Sequence, residues 1–188
     1  MPRRRQGQDD WPPLTVTRRA LLVGGSDRKF RRLVEDMVQF AARLQTIREG
    51  LAARMSLTPP QFKIVMALAH AQVPAMTATG LSAQFRVSMP FIVTETAKLE
   101  HLGLVRRRRN PDDARSLLIE LTPAGKRRVR GAGPFMAEVN DLLFAPLSRA
   151  AMRQLGAVTE RLLASSQDAM AVLDGARPAA AISGRERR

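Results

Sequence analysis

Residues 104–125 read LVRRRRNPDDARSLLIELTPAG, in which two short runs flank a polar centre. The runs 104–109 and 116–121 have the length of β-strands. Residues 110–113 are Asn-Pro-Asp-Asp, and each of these residue types favours a turn for its own backbone reason. The stretch therefore predicts a β-hairpin. Thr122 and Pro123 follow it as the predicted cap and first-turn proline of a helix.

Four helices are predicted before the hairpin, each from apolar residues at helical spacing behind a capping residue. The predicted N-caps are Ser26, Thr58, Thr77 and Ser88. The second helix has the strongest start, because Thr58-Pro59-Pro60-Gln61 combines a cap, a first-position proline and the glutamine of a capping box. Gly103 is the predicted stop of the fourth helix.

Two more helical stretches are predicted after the hairpin, one from Thr122 and one over about residues 148–167. Gly131, Gly133 and Pro134 predict a kink or an interruption in the first of them. The order helix, helix, short helix, short helix, hairpin, helix is that of a winged helix-turn-helix. The predicted fold class is therefore mainly α with a small β-wing.

The chain is strongly basic, with 31 Lys and Arg against 17 Asp and Glu in 188 residues and a formal net charge of +14. Such an excess calls for an anionic partner, and double-stranded DNA is the first candidate. Arg106 to Arg109 and Arg115 lie in the predicted hairpin. A hairpin wing reaches the minor groove when a recognition helix occupies the neighbouring major groove. A solvated strand edge that resists aggregation is the alternative for the four consecutive arginines.

Composition excludes several other functions. Without cysteine, disulfides, thiolate metal sites and cysteine catalysis are excluded, and with two histidines we expect neither a metal nor a cofactor. No apolar run is suited to a membrane span and the N-terminus lacks a signal-peptide pattern, so we expect no membrane partner and a cytoplasmic location. No P-loop, nucleophile elbow or dinucleotide fingerprint is present, so we expect no enzyme.

The stretch from Leu57 to Arg130 resembles the MarR (multiple antibiotic resistance regulator) family of bacterial transcription regulators. The matching segments are residues 57–61, Leu81-Ser82-Ala83, Val87-Ser88, Leu99-Glu100, residues 103–106, the wing 110–116 and residues 121–125. The resemblance implies a ligand-responsive transcriptional regulator, expected to be a repressor, that binds a pseudo-palindromic DNA operator as a homodimer. A sequence-indifferent architectural DNA-binding protein is the alternative, favoured by the basic ends of the chain.

The same resemblance divides the chain into functional parts. It implies a dimerisation helix at 26–56, the winged helix-turn-helix lobe at 57–130 and C-terminal dimerisation helices at 131–172. Composition predicts a flexible basic arm at 1–25, either a solvated tail or an arm that contacts DNA, and a flexible basic tail at 173–188. The expected dimer contacts are Phe30, Leu33, Met37, Leu155, Val158 and Leu162. An intramolecular core is the alternative for these residues, but two long apolar stripes beside one small lobe have little else to cover them.

Family positions carried over to this chain place DNA contacts on the fourth helix and the wing. The expected contacts are Met89, Pro90, Phe91, Val93, Thr94, Lys98, Arg107, Arg109, Asp113 and Arg115. By resemblance, Arg115 is the wing arginine and Asp113 is the acid that orients it. The chain departs from the family pattern because Met89, Pro90 and Phe91 are apolar where polar base readers are usual. For Phe91, a core position is the alternative to contact with a thymine methyl.

The resemblance also implies a small-molecule effector, an aromatic acid or its thioester, bound between the dimerisation helices and the DNA-binding lobe. The residues expected to line its site are Phe40, Arg43, Leu44, Phe62, Met66 and His70. An arginine and a histidine above an apolar floor suit a planar anion. The alternatives are core positions for Phe62 and Met66, a solvated Arg43 and a helix-end hydrogen bond for His70.

Overall fold

The structure is a computed structural model that describes residues 11–111, 113 and 116–175. The elements in chain order are α1 (Arg28–Arg54), α2 (Pro59–His70), β1 (Met76–Thr77), α3 (Ala78–Phe85), α4 (Met89–His101), β2 (Val105–Arg109), β3 (Leu117–Leu121), α5 (Pro123–Phe144) and α6 (Arg149–Leu173). A short 3-10 helix, Arg19–Leu21, precedes α1. The chain divides into two compact units after Pro134. Among the described helices, none has the length and the apolar character that a membrane span requires.

Capping residues set the starts of α2, α3 and α4 as the sequence predicts. The Thr58 hydroxyl accepts from the backbone N–H of Gln61, and the Gln61 side chain accepts from the Thr58 N–H, so the predicted capping box is confirmed. Thr77 and Ser88 accept in the same way from the third residue of α3 and α4. Gly103 has a φ of +68° just after α4, which confirms it as the helix stop.

The predicted start of α1 is wrong by one residue. Ser26 is not the N-cap, because α1 begins at Arg28 and Asp27 occupies the cap position. The Ser26 hydroxyl still accepts from the Arg28 backbone N–H at 3.2 Å. Asp27 is not free to cap the helix with its side chain, because its carboxylate accepts from both the backbone N–H and the hydroxyl of Thr15 at 2.8 Å.

The predicted hairpin is confirmed and belongs to a three-stranded antiparallel sheet in the order β1-β3-β2. Val105 pairs with Leu121 at one end of the hairpin, and Arg109 pairs with Leu117 at the other. The two-residue strand β1, which the sequence analysis does not predict, pairs Met76 with Ile119. A strand of this length carries too few alternating residues to be recognised from a pattern.

The core of the first unit lies where α2, α3 and α4 pack on the sheet. The side chains with 0–1% exposure include Ile64, Val65, Leu81, Ile92, Leu99 and Ile119. The last turn of α1 adds Leu51 and Ala52, and Met55 follows directly after it. The buried face of α4 is thus fixed by the core, and its opposite face is left at the surface.

The interruption predicted at Pro134 is wrong, since α5 runs unbroken from Pro123 to Phe144 with this proline inside it. An interior proline removes one backbone hydrogen bond, and the bonds on either side hold the helix together. The last helix also extends further than predicted, to Leu173. No residue of α6 is buried.

Candidate nucleic-acid interface

The exposed face of α4 carries five of the ten predicted DNA contacts. Met89, Pro90, Phe91, Thr94 and Lys98 are all exposed in the structure. Phe91 is 39% exposed, so the alternative of an ordinary core position is wrong for this residue. The sixth predicted residue on this helix, Val93, is half-buried. The face opposite the core therefore presents an apolar first turn followed by a hydroxyl and an ammonium.

The turn between α3 and α4 fixes where this exposed face begins. Arg86 adopts a left-handed conformation at φ +55° directly after α3. The Val87 backbone N–H donates to the Ser82 carbonyl at 3.2 Å, and the Ser82 hydroxyl donates to the Val87 carbonyl at 2.6 Å. These two bonds hold Arg86 at the surface beside the first turn of α4. Arg86 is not among the predicted DNA contacts, although its place between two predicted helices is a usable signal.

Lys98 has an intrahelical partner. Its ammonium donates to the Glu95 carboxylate at 2.6 Å, and Glu95 is only 7% exposed. A buried carboxylate needs such a partner, because an unpaired charge in the interior is costly. Within α4, the one exposed lysine is therefore already committed to a carboxylate of the same helix.

Arg107, a predicted DNA contact, is directed towards α4. Its backbone N–H donates to Glu100 Oε1 at 2.8 Å and its Nε donates to Glu100 Oε2 at 2.7 Å. The backbone N–H and then the guanidinium of Arg107 hold the pKa of Glu100 below its ordinary value. Alternation along β2 puts Arg107 on the same side as the buried Val105. Arg107 thus links β2 to α4.

The remaining arginines of β2 are exposed. Arg106 donates to the carboxylate of Glu120, which lies directly opposite it in the hairpin. Arg108 and Arg109 have no ion pair within the described residues. Of the four consecutive arginines, these two are the ones whose charge is available to a phosphate.

The tip of the wing is only partly described. Asn110 and Ser116 close it through a backbone bond of 3.0 Å and a side-chain bond of 3.0 Å. Asp113 is exposed between them. The predicted wing arginine, Arg115, lies outside the described residues, as do residues 1–10 and 176–188 of the two basic ends.

The described part of the N-terminal arm is attached to the start of α1. The Thr15 backbone N–H and then the Thr15 hydroxyl lower the pKa of Asp27 by donating to its carboxylate. Arg31 adds an ion pair at 3.3 Å. Residues 15–27 therefore form a defined structure that the sequence analysis did not predict.

A cavity of about 260 Å³ lies behind the first turn of α4. Its lining residues are Gln45, Arg48, Pro59, Pro60, Phe62, Lys63, Ile64, Phe85, Val87 and Phe91. The Arg48 guanidinium lies 5.7 Å from the centroid of the Phe62 ring, and the Lys63 ammonium lies 4.4 Å from that of Phe85. Both distances are within the range of cation–π attraction. The cavity thus combines aromatic walls with two cations.

Of the six residues predicted to line an effector site, Phe62 alone lines this cavity. Phe62 is also 3% exposed, as its core alternative requires. The His70 ring bonds through Nδ1 to the Met66 carbonyl at 2.9 Å, which is the helix-end bond expected in the alternative reading of this histidine. Phe40, Arg43, Leu44, Met66 and His70 do not line this cavity.

The predicted dimer contacts form exposed apolar stripes. Leu33 and Met37 on α1 are 57% and 47% exposed, and Leu155, Val158 and Leu162 on α6 are 43–50% exposed. Phe30 is half-buried. Apolar side chains repeated along one face of a long helix are typical of a surface that a partner covers.

Comparison with known proteins finds a family match for the part of the chain that contains the predicted DNA contacts. Residues 57–117 match the model of the MarR family. An uncharacterised HTH-type transcriptional regulator, YdcH, from Bacillus subtilis (strain 168) is 29% identical over 97 residues. This match covers 50% of the present chain and 65% of the relative.

Solved structures of MarR family regulators share the fold of this chain. AbsC, a MarR family transcriptional regulator from Streptomyces coelicolor, has a TM-score of 0.67 at 18% identity, over 74% of this chain and 95% of that chain. A second MarR family regulator from that organism, solved in complex with DNA, has a TM-score of 0.66 at 20% identity, over 74% and 92% of the two chains. The predicted winged helix-turn-helix fold is confirmed.

Proposed function

Because residues 57–117 match the model of the MarR family, we propose that this protein is a DNA-binding transcriptional regulator that acts as a homodimer. The observation that carries the proposal is the exposed face of α4 beside a basic strand. A helix of this kind enters the major groove, and an adjacent hairpin reaches the backbone or the minor groove. We assign it no catalytic activity. Since its target is chromosomal DNA, we place it in the cytoplasm of a bacterial cell.

Two described arginines of the wing supply the phosphate contacts in this proposal. Arg108 and Arg109 are exposed at the end of β2 that adjoins the tip. Arginine binds phosphate through several donors in a fixed geometry. Arg107 holds the wing against α4 in the same arrangement, so that helix and wing approach DNA as one body.

The homodimer is supported by the apolar stripes of α1 and α6. A stripe that includes Leu33 and Met37, each about half exposed, leaves apolar area in water that a second copy of the chain would cover. A two-fold dimer presents two recognition helices, so the operator is expected to be a pseudo-palindrome with half-sites about 10 base pairs apart. On the family resemblance alone, we propose that binding to the operator represses transcription.

We propose that the cavity behind α4 holds the effector. An apolar cavity of about 150 Å³ is enough to hold benzene, so about 260 Å³ leaves room for one aromatic ring and a carboxylate. Arg48 and Lys63 would pair with the carboxylate, and Phe62 and Phe85 would contact the ring. Since Phe91 lines the cavity and lies in the first turn of α4, an occupant would displace part of the DNA-facing surface.

The first experiment is DNase footprinting of the full-length protein on the promoter of its own gene, at two salt concentrations and with non-specific competitor DNA. A short protected site with two-fold symmetry that survives the competitor supports the regulator. Uniform protection of any DNA that disappears in the higher salt supports the architectural alternative, which the net charge of +14 favours.

The effector site is tested separately by isothermal titration with benzoate as the probe. The Lys63→Met variant is expected to lose benzoate affinity at least fivefold. The control Lys29→Met removes an equal charge from the exposed start of α1. Equal affinity in wild type and Lys63→Met would place the effector elsewhere on the protein.

A further inference from the structure

The first turn of α4 has an unusual surface for a recognition helix. Met89 and Phe91 are 37% and 39% exposed, and Pro90 between them is exposed as well. Apolar side chains at the entrance of a DNA groove make no hydrogen bonds with base edges. The one base-edge group that they match chemically is the C5 methyl of thymine.

Hydrogen-bonding groups are correspondingly scarce on this face. Lys98 is paired with Glu95 at 2.6 Å, and Arg107 is paired with Glu100 at 2.7 Å. Thr94 contributes an exposed hydroxyl in the next turn. Lys98 and Arg107 are thus committed to carboxylates of α4, and the apolar residues of its first turn are left to face the bases.

Cations surround the apolar turn instead. Arg86 is exposed directly before α4, and the exposed Lys63 and Arg48 line the same cavity as Phe91. A groove of duplex DNA has phosphates along both walls and base edges on its floor. An apolar centre with a cationic rim has the charge pattern complementary to that arrangement.

We propose that Met89 and Phe91 read thymine methyl groups, so that the half-sites of the operator contain thymines whose methyl groups contact this first turn. The proposal rests on the proposed function, because it requires insertion of α4 into the major groove. Discrimination between DNA sequences then comes from the burial of methyl groups. Phosphate contacts set the register of the protein on the DNA but carry no sequence information.

The test replaces individual thymines of the protected site with deoxyuridine, which removes only the C5 methyl, and measures binding of full-length protein by fluorescence anisotropy. Each contacted methyl is expected to contribute roughly fourfold in affinity, the factor equivalent to about 0.8 kcal/mol for one buried carbon. Met89→Ala and Phe91→Ala should each bind the thymine operator more weakly than wild type does. Deoxyuridine at the thymine that the replaced side chain contacts should then cause no further loss of affinity. Leu102→Ala is the matched control, because Leu102 is 52% exposed directly after the far end of α4 and should keep the full dependence on the methyl groups.

Three outcomes are distinguishable. If no defined DNA sequence is bound, the proposed function itself fails. If a defined site is bound equally with thymine and deoxyuridine at every position, the regulator stands and methyl reading is overturned. If deoxyuridine weakens wild type and both apolar variants to the same extent, the methyl groups act through DNA shape, and the contacts assigned to Met89 and Phe91 are wrong. Met89→Ala keeps the test valid if Phe91→Ala fails to fold, because Met89 does not line the cavity.

Discussion

Arg107 joins the wing to the recognition helix by holding both carboxylate oxygens of Glu100. The backbone N–H reaches Oε1 at 2.8 Å, and the guanidinium Nε reaches Oε2 at 2.7 Å. The two side chains are 24% and 36% exposed, so water screens the pair only in part. A carboxylate fixed at two points orients the strand relative to the helix more firmly than a single ion pair does.

This arrangement predicts a pH-dependent contribution to stability. The pKa of Glu100 is lowered in the folded protein, by the Arg107 backbone N–H first and then by its side chain. The stabilisation is therefore complete above the unfolded pKa of about 4.3 and is lost as the pH falls through the lower folded pKa. Glu100→Gln should reduce the free energy of unfolding by about 1 kcal/mol at pH 7, after allowance for solvent screening.

Urea unfolding at pH 7, 4 and 3 measures this effect. The difference in the free energy of unfolding between wild type and Glu100→Gln should decrease as the pH is lowered. Glu138→Gln, a change at an exposed carboxylate of α5, serves as the control and should show little difference from wild type at any of these pH values. A free-energy difference for Glu100→Gln that stays constant from pH 7 to pH 3 would show that the charge of the Glu100 carboxylate does not stabilise the fold.

Gly125 is predicted to be the least replaceable glycine of the winged lobe. A Cβ at this position would lie 2.1 Å from the carbonyl oxygen of Leu104, which also accepts from the Thr122 backbone N–H at 3.0 Å. Since the obstacle is backbone, it cannot rotate away. Gly125→Ala should destabilise the protein by more than about 2 kcal/mol, on the scale of overpacked cores.

Thermal unfolding by circular dichroism tests this prediction against Gly50→Ala. A Cβ at Gly50 in α1 meets nothing within 4 Å, so alanine should stabilise the helix by about 0.5–1 kcal/mol. Opposite shifts in Tm are expected for the two variants. A neutral Gly125→Ala would mean that the first turn of α5 moves away from Leu104 at little cost.

Local chemistry explains which elements could be predicted from the sequence. The caps Thr58, Thr77 and Ser88 depend on one side chain and a backbone N–H three residues on, so residue type and spacing were sufficient. Pro134 failed as a helix breaker because its effect is local, and the hydrogen bonds on both sides of it keep α5 continuous.

The less predictable features depend on residues that are distant in the sequence. The sequence predicts Arg107 as a DNA contact, whereas in the structure this arginine pairs with Glu100. That pairing depends on how α4 packs against β2, which no local pattern specifies. The cavity brings together residues from Gln45 to Phe91. A pattern along one helix predicts its apolar face. It does not predict which other elements pack on that face or where a cavity remains between them.

The exposed wing arginines are expected to contribute to DNA affinity through phosphate contacts. Arg109→Ala should weaken binding on every sequence alike and reduce the slope of log K against log salt by about 0.9, the value for one phosphate contact. Fluorescence anisotropy at several salt concentrations measures the slope. Arg153→Ala on α6 removes the same charge from an exposed site in the second unit and should leave the slope unchanged. An unchanged slope for Arg109→Ala would show that this arginine does not contact a DNA phosphate.

The apolar stripe of α1 predicts that a charge placed on it dissociates the dimer. Leu33 is 57% exposed in the single chain, and in a two-fold dimer each substitution counts twice. Burying a leucine contributes about 1.5–3 kcal/mol, so Leu33→Glu should raise the dimer dissociation constant by at least tenfold. Sedimentation velocity over a range of concentrations measures it. Ala42→Glu provides the matched control, because nine residues at about 100° each put Ala42 on the opposite side of the helix from Leu33. A Leu33→Glu protein that dimerises as tightly as Ala42→Glu would show that α1 does not form the interface, and the DNA-binding lobes would then be paired by another surface.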